Sequence, residues 1–271
     1  MTMNYGPSAM PASFDDDILS NESSAKCLMP MGEISDLIAE RFQVSRLDQD
    51  RFAADSHRKA ATAQKLGFFQ DEIVPVDVVR IDEKGHESRI RISQDDGIRE
   101  GTTVEKLSKL RSAFSSTGTT TAGNSSQVSD GAAAVLLMKR SMAKTLGLNV
   151  LATFDTFATI GVAPEIMGVG PLYAIPAALR KVGLSLDDVD IFEINEAFAS
   201  QAFYCVKALG IPFEKVNPNG GAIALGHPLG CTGNRQIATL IYELKRKNMK
   251  TGVISMCVGT GMGAAAVITV E

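Results

Sequence analysis

Three short stretches carry side chains suited to acid–base or thiol chemistry. The first is the run from Asn217 to Gly233, which holds His227, one of three histidines in the chain. Proline disfavours helix at the residue before it, so His227, which precedes Pro228, is expected to be extended with its ring projecting from a loop. Glycines at 220, 221, 226, 230 and 233 permit tight turns or close approach. Histidine moves protons near neutral pH. A histidine that merely caps its loop by hydrogen bonding fits the same context. The absence of a Gly-Lys-Ser/Thr ending excludes a P-loop.

The second is Cys257, at the end of the apolar run Gly-Val-Ile-Ser-Met and just before Gly259-Thr-Gly-Met-Gly263. A buried cysteine is often only a small hydrophobe. A thiol at a strand end, next to glycine N–H groups that converge on an oxyanion, also suits an acid, a base or a nucleophile. The third is Asn195-Glu196, at the end of Ile191-Phe-Glu-Ile. Asn caps helices well and Glu favours the first helical turn; a functional Asn would orient a water or donate to a carbonyl. All three stretches fall at strand ends or adjoining loops, where open α/β sheets form their sites.

The elements that must position them follow from periodicity. Residues 1–25 lack an apolar period and are expected to form a flexible lead-in. Ile34, Leu37, Ile38 and Phe42 fall at helical spacing. Ser45-Arg-Leu-Asp48 is a capping box opening a second helix that ends near Gly67. Residues 72–93 alternate as two strands around the turn Glu83-Lys-Gly85. The polar 95–123 section, with a short segment at Val104–Arg111, has the composition of an exposed linker. Beyond Asp130 the pattern becomes α/β. Strands are expected at 132–138, 149–160, 189–194, 252–257 and 264–270, and helices at 141–146, 174–182, 196–209 and 235–247. The last helix has Ile237, Leu240, Ile241 and Leu244 on one face.

Composition excludes several classes. A chain of 271 residues with net charge −4 is long enough for a real core and offers no basic surface for nucleic acid or anionic membrane. No apolar run spans a bilayer, the first residues lack a secretory order, and the last four are not a Ser-Lys-Leu-type peroxisomal address. The four cysteines form no Cys-x-x-Cys pair, so reduced thiols are expected and neither zinc nor a disulfide framework is supported.

The segments Thr121–Gly131, Gly161–Gly170 with Met167, Asn195-Glu-Ala-Phe198, Gly226-His-Pro228 and Cys257-Val-Gly259 together resemble the thiolase family, in its peroxisomal 3-ketoacyl-CoA branch. The resemblance runs from about Cys27 to Glu271. It implies a layered α/β thiolase fold: lead-in to 25, loop region and remaining N-terminal domain over 26–147, and a whole C-terminal domain over 148–271. It further implies acetyl-CoA C-acyltransferase chemistry, in which a 3-ketoacyl-CoA and free CoA yield acetyl-CoA and an acyl-CoA shortened by two carbons in fatty-acid β-oxidation. CoA is then a co-substrate, with no permanently bound cofactor and no metal.

By the same resemblance His227 activates the acyl-accepting thiol, and Cys257 shuttles the proton at the acetyl-CoA α-carbon. Asn195 holds a water that, with the His227 ring, forms one oxyanion hole, and the N–H of Gly259 contributes to a second. Ser126 meets the pantetheine arm, Arg99 lies near the adenosine-phosphate end, and Met31, Met167 and Phe198 line the acyl/pantetheine pocket. That revises the linker reading of 95–123. The family forms homodimers, and peroxisomal residence is implied although no targeting signal stands in this chain.

Family members are longer. The resemblance implies an N-terminally truncated chain without the segment that carries the acyl-accepting cysteine, since Cys27, before Met-Pro-Met-Gly, does not stand in that motif. The apolar strand at 132–138 would then lack its neighbours, leaving an open sheet edge. The expectation is little or no thiolysis by this chain. Two alternatives are a non-catalytic fragment that binds CoA or joins an intact thiolase, and a Cys257–His227 pair acting alone in CoA-thioester hydrolysis.

Overall fold

A computed structural model describes residues 13–271. Its centre is a four-stranded sheet in the order β3-β6-β5-β4, built from β3 (Ala152–Gly161), β4 (Ile191–Ile194), β5 (Thr251–Val258) and β6 (Met262–Val270). The pairs β3–β6 and β6–β5 are antiparallel, and β5–β4 is parallel. Alternation along the strands explains why helices cover both faces. Val253, Ala265 and Val267 point to one face, where they meet Ala174, Ile175, Ala178 and Leu179 of α7 (Gly170–Lys181) and Val206 of α8 (Ala199–Leu209). Ile254, Ala266, Ile268 and Val270 point to the other and pack against Ile237, Leu240 and Leu244 of α10 (Thr232–Arg246). Each Val, Ile or Leu among these contributes about 1.5–3 kcal/mol on full burial. The α10 stripe is the one expected from its spacing.

The earlier part of the chain packs around the end of the sheet where β4 and β5 stop. Helix α3 (Met31–Arg41) buries Ile34 and Ile38 against Met167, Val169, Cys205 and Cys257. Helix α4 (Arg46–Lys65) starts at Ser45, whose Oγ accepts from the Asp48 N–H at 3.1 Å, so the N-cap half of the expected capping box is present, while the Asp48 carboxylate accepts from the Ser45 hydroxyl at 2.7 Å. Antiparallel β1 (Val76–Ile81) and β2 (Glu87–Ile92) form the expected hairpin, an exposed two-stranded arm. The shorter helices are α1 (Asp16–Ser20), α2 (Glu22–Lys26), α5 (Val104–Leu107), α6 (Arg140–Thr145) and α9 (Ala222–Leu225).

Three expectations are corrected. The flexible lead-in over 1–25 lies outside the described residues up to 12. Beyond them, Asp15 and Asn21 cap α1 and α2, and Lys26 pairs with Glu22 and Glu165. The linker reading of 95–123 fails at its last residues, where hydrogen bonds, not apolar surface, bury small side chains; most of 95–118 is exposed as expected. Thr120, Thr121 and Asn124 are inaccessible. Asn124 reaches Asp50, the backbone N–H groups of Thr119 and Thr120 donate to Asp36, and Thr120 joins Ser35 and Ser200 in a hydroxyl chain with 2.7 Å links. The strand at 132–138 does not form. The segment has no ladder among the described residues, and Leu136 and Leu137 are 78% and 65% exposed.

Candidate active site

Parallel neighbours β4 and β5 end on the same edge of the sheet, in register as Ile194 with Ser255. Asn195 continues past β4, its N–H donating to Ser255 O at 2.9 Å and its carbonyl accepting from Gln201 Nε2 at 2.8 Å. This holds the Asn195 backbone against β5, the strand that carries Cys257 next to its last residue. Its Nδ2 lies 3.2 Å from His227 Nε2, and Thr232 Oγ1 lies 2.6 Å from His227 Nδ1. Thr232 Oγ1 in turn donates to Pro228 O at 3.1 Å, so it accepts from an Nδ1–H. Nε2 therefore keeps its lone pair. Burial first, and the Arg235 guanidinium second, push the His227 pKa down to about 4, which makes it a neutral base at pH 7. Asn195 Oδ1 is buried with no protein partner among the described residues. His227 sits in the expected loop, next to Gly226 at φ +89, where a side chain would strain the backbone and collide with Ser129.

The helix-cap reading of Asn195-Glu196 is overturned. Helix α8 begins at Ala199, after Phe198, without a side-chain cap. Glu196 instead points inward as a tie that the sequence reading missed. Its carboxylate accepts from Ser56 Oγ of α4 at 2.6 Å, from Asn217 Nδ2 at 2.7 Å and from the Ile223 N–H at 3.2 Å. Asn217 also bonds the N–H and carbonyl of Ile194, both at 2.8 Å. One buried carboxyl thus fastens α4, the end of β4 and the loop that leads to His227, and burial raises its pKa despite these donors. The signal in the sequence was a polar Glu-Ile-Asn-Glu run at the end of a strand that is buried throughout.

Cys257 is buried among Ile34, Ile38, Met167 and Val169, and burial pushes its pKa up to about 11. Its thiol is therefore protonated at neutral pH and holds a proton to give. The turn beyond it contains Gly259 and then Thr260 at φ +69, an unfavourable conformation for a β-branched residue. Cys27 touches this turn from outside, its sulfur 3.6 Å from Thr260 O.

The remaining candidates are brought together unevenly. The N–H of Ser126 donates to Ala197 O at 2.9 Å, and Ser125 bridges to Phe198, so Ser126 lies against the Asn195–Phe198 segment. The Phe198 ring meets Phe114 edge to face at 6.2 Å. Met167 shares the Cys257 cluster, whereas Met31 opens α3 largely exposed and outside that cluster. Arg99 is exposed, and its N–H donates to Nδ1 of buried His57 at 3.2 Å. Gln127 links these parts: its Nε2 donates to Gly97 O at 2.8 Å and lies 3.4 Å from the carbonyls of Ile223 and Ala224. His57, Gln127 and Phe114 gave no motif signal of their own. Among the described residues, no group of three or more His, Cys, Asp or Glu side chains is arranged to hold a metal ion, and no helix is long and apolar enough to cross a membrane.

An Asn–His–Thr chain with an unprotonated imidazole nitrogen, at the sheet end where a protonated thiol lies, can exchange protons with a carbon acid and, once the imidazole is protonated, donate to an oxyanion. Known proteins share this framework. Residues 6–141 match the family model "Thiolase, N-terminal domain" and residues 148–270 match "Thiolase, C-terminal domain". The chain is 59% identical to peroxisomal 3-ketoacyl-CoA thiolase B of Rattus norvegicus over 267 residues, covering 98% of this chain and 63% of the relative. It is 57% identical to the peroxisomal 3-ketoacyl-CoA thiolase of Homo sapiens, with the same coverages. Among solved structures, the dimeric peroxisomal thiolase of Saccharomyces cerevisiae superposes with a TM-score of 0.89 at 53% identity, covering 98% of this chain and 65% of that one. Human mitochondrial 3-ketoacyl-CoA thiolase in complex with CoA matches with a TM-score of 0.82 at 38% identity, covering 90% and 59%. The chain spans a little over six tenths of the length of these curated relatives. With one family model covering half of it and the companion model covering most of the rest, the chain belongs to the thiolase family.

Proposed function

We propose that this protein takes part in CoA-dependent thiolytic cleavage of 3-ketoacyl-CoA to acetyl-CoA and a shortened acyl-CoA, as an acetyl-CoA C-acyltransferase of fatty-acid β-oxidation. The observation that carries the reading is the Asn195–His227–Thr232 chain at the sheet end where Cys257 lies. Cleavage leaves a thioester enolate that must be protonated at carbon while its oxygen is stabilised. Cys257, held as the thiol, gives that proton; His227, held neutral, takes protons from attacking thiols. A water on Asn195, with the His227 ring once it has taken the thiol's proton at Nε2, forms one oxyanion hole, and the Gly259 N–H contributes to the other. No acyl-accepting role is assigned to any of the four cysteines of this chain.

Ser126, Phe198, Met167 and Met31 are assigned to the pantetheine and acyl arm, and Arg99 to the phosphate end of CoA. The tie through Gln127 supports this grouping, because it holds the Arg99 loop, the Ser126 segment and the approach to His227 as one unit. The same reading divides the chain near residue 147. The peroxisomal names of the relatives support a peroxisomal setting, and the dimeric neighbour supports a homodimer.

Calorimetric titration of the purified chain with CoA tests the binding half of this reading. One site is expected, weakened several-fold by Arg99→Ala; absence of binding would contradict it. Thiolysis of acetoacetyl-CoA run in parallel tests the division of roles, because robust turnover abolished by Cys257→Ala would make that thiol the acyl acceptor.

A further inference from the structure

His227 is gripped by two elements far apart in sequence. Asn195, just past β4, meets Nε2, and Thr232, the first residue of α10, meets Nδ1. Neither contact sets the distance between these two jaws. One pair spans them, its carboxylate buried and its guanidinium part-buried. Arg235, one turn into α10, places Nη1 3.0 Å from Oε2 of Glu193, two residues before Asn195 on β4. Gln236 Nε2 doubles the link by donating to Glu193 O at 2.9 Å. The side chain of Glu193 is 1% exposed, between Phe192 and Ile194 of the core.

A charge pair in this place is an expensive way to join a strand to a helix. Removing two ions from water costs several kcal/mol each, and an apolar pair of similar volume often gives equal or better stability. What the pair adds is direction: one guanidinium nitrogen, on a helix, fixed to one carboxylate oxygen, on a strand. The other charged and titratable groups near it are few. Glu196, beyond β4, and Glu243, of α10, face Glu193. Glu72 and Asp95, on the chain flanking the β1–β2 arm, face Arg235, as do Cys231 and His227.

We propose that Glu193 and Arg235 are positioning residues for His227, fixing the separation of Asn195 and Thr232 and with it the orientation and tautomer of the imidazole. This rests on the reading of His227 as the base of the site. Neither residue touches the reacting atoms; both act through the ring.

Nuclear magnetic resonance of the full chain labelled with ¹⁵N-histidine reads both tautomer and titration of His227, with His57→Gln and His86→Gln spectra giving the assignment. The parent chain is expected to show the Nδ1–H tautomer from pH 5 to 8. Arg235→Gln removes the facing cation and should raise the His227 midpoint by about one pH unit or more. Glu193→Gln leaves that cation uncompensated and should lower the midpoint or leave it in place. Both variants should admit the Nε2–H tautomer. A midpoint raised in Arg235→Gln but not in Glu193→Gln, with a shared loss of tautomer, marks positioning through this pair, whereas general loosening of the core would move both midpoints toward that of free histidine. Folded variants with the parent's tautomer and midpoint overturn the proposal. If either substitution prevents folding, Arg235→Lys, which keeps the charge but not the fixed fork, should show a mixed tautomer; a parent-like ring would overturn the proposal equally. A chain that binds no CoA yet gives these spectra would sink the functional reading and leave the positioning role standing.

Discussion

Two apolar runs of similar length meet opposite fates. Gly252–Val258 is the inner strand β5, paired on both sides, with Val253 buried on one face and Ile254 on the other. Ala132–Met138 is as apolar, yet it lies without ladder partners among the described residues and leaves Leu136 and Leu137 in solvent. The difference is in the neighbours. A strand needs a second backbone for its N–H and C=O groups and a covering layer for its side chains. For β5 these come from β4, β6, α7 and α10. An apolar run specifies a surface that wants covering; the covering element is specified elsewhere.

The sharpest way to break this comparison is a pair of truncations. Phe192→Ala, beneath α7 and α8, should cost about 3–5 kcal/mol, while Leu137→Ala should stay within about 0.5 kcal/mol. Urea midpoints measure both, and equal effects would erase the contrast. A second, intermediate effect concerns the polar side of α10. Glu72 accepts from Thr239 at 3.2 Å with its other oxygen buried and unpartnered, and burial raises its pKa from 4.5 to about 8. The folded state then holds a proton that the unfolded chain releases, so stability falls as pH rises from 4.5 to about 8. Glu72→Gln should remove that slope, raising Tm over the parent by about 2–4 °C at pH 8 and by least near pH 4.5. The smallest effect is on association. Leu136→Lys with Leu137→Lys should leave Tm unchanged and reduce concentration-dependent light scattering, because it places charge on an apolar surface that no element among the described residues covers.

The same contrast marks where the sequence was legible. Helices α4 and α10 and the β1–β2 hairpin followed from local signals: a capping box, a stripe of Ile and Leu, and two alternating runs around Lys84-Gly85. The 132–138 strand was misread because periodicity reports burial preference without reporting a partner. The end of the 95–123 section was misread by composition because Ser, Thr and Asn can be buried by hydrogen bonds to Asp36, Asp50 and Ser35 that lie far away in sequence. His227 and Cys257 stood out through a glycine-rich loop and a strand end. Thr232 and Arg235 did not, and Glu196 stood out only as a helix-start residue, since what makes them matter is a contact across the fold.

The central claim is that this sheet end moves a proton at the carbon next to a CoA thioester. Wash-in of deuterium from D₂O into the methyl group of acetyl-CoA tests it most directly. The parent chain should promote exchange, and Cys257→Ala should lower the rate by about 10²-fold or more, the scale of a lost general acid–base group. No exchange above buffer, or exchange that survives Cys257→Ala, would contradict it.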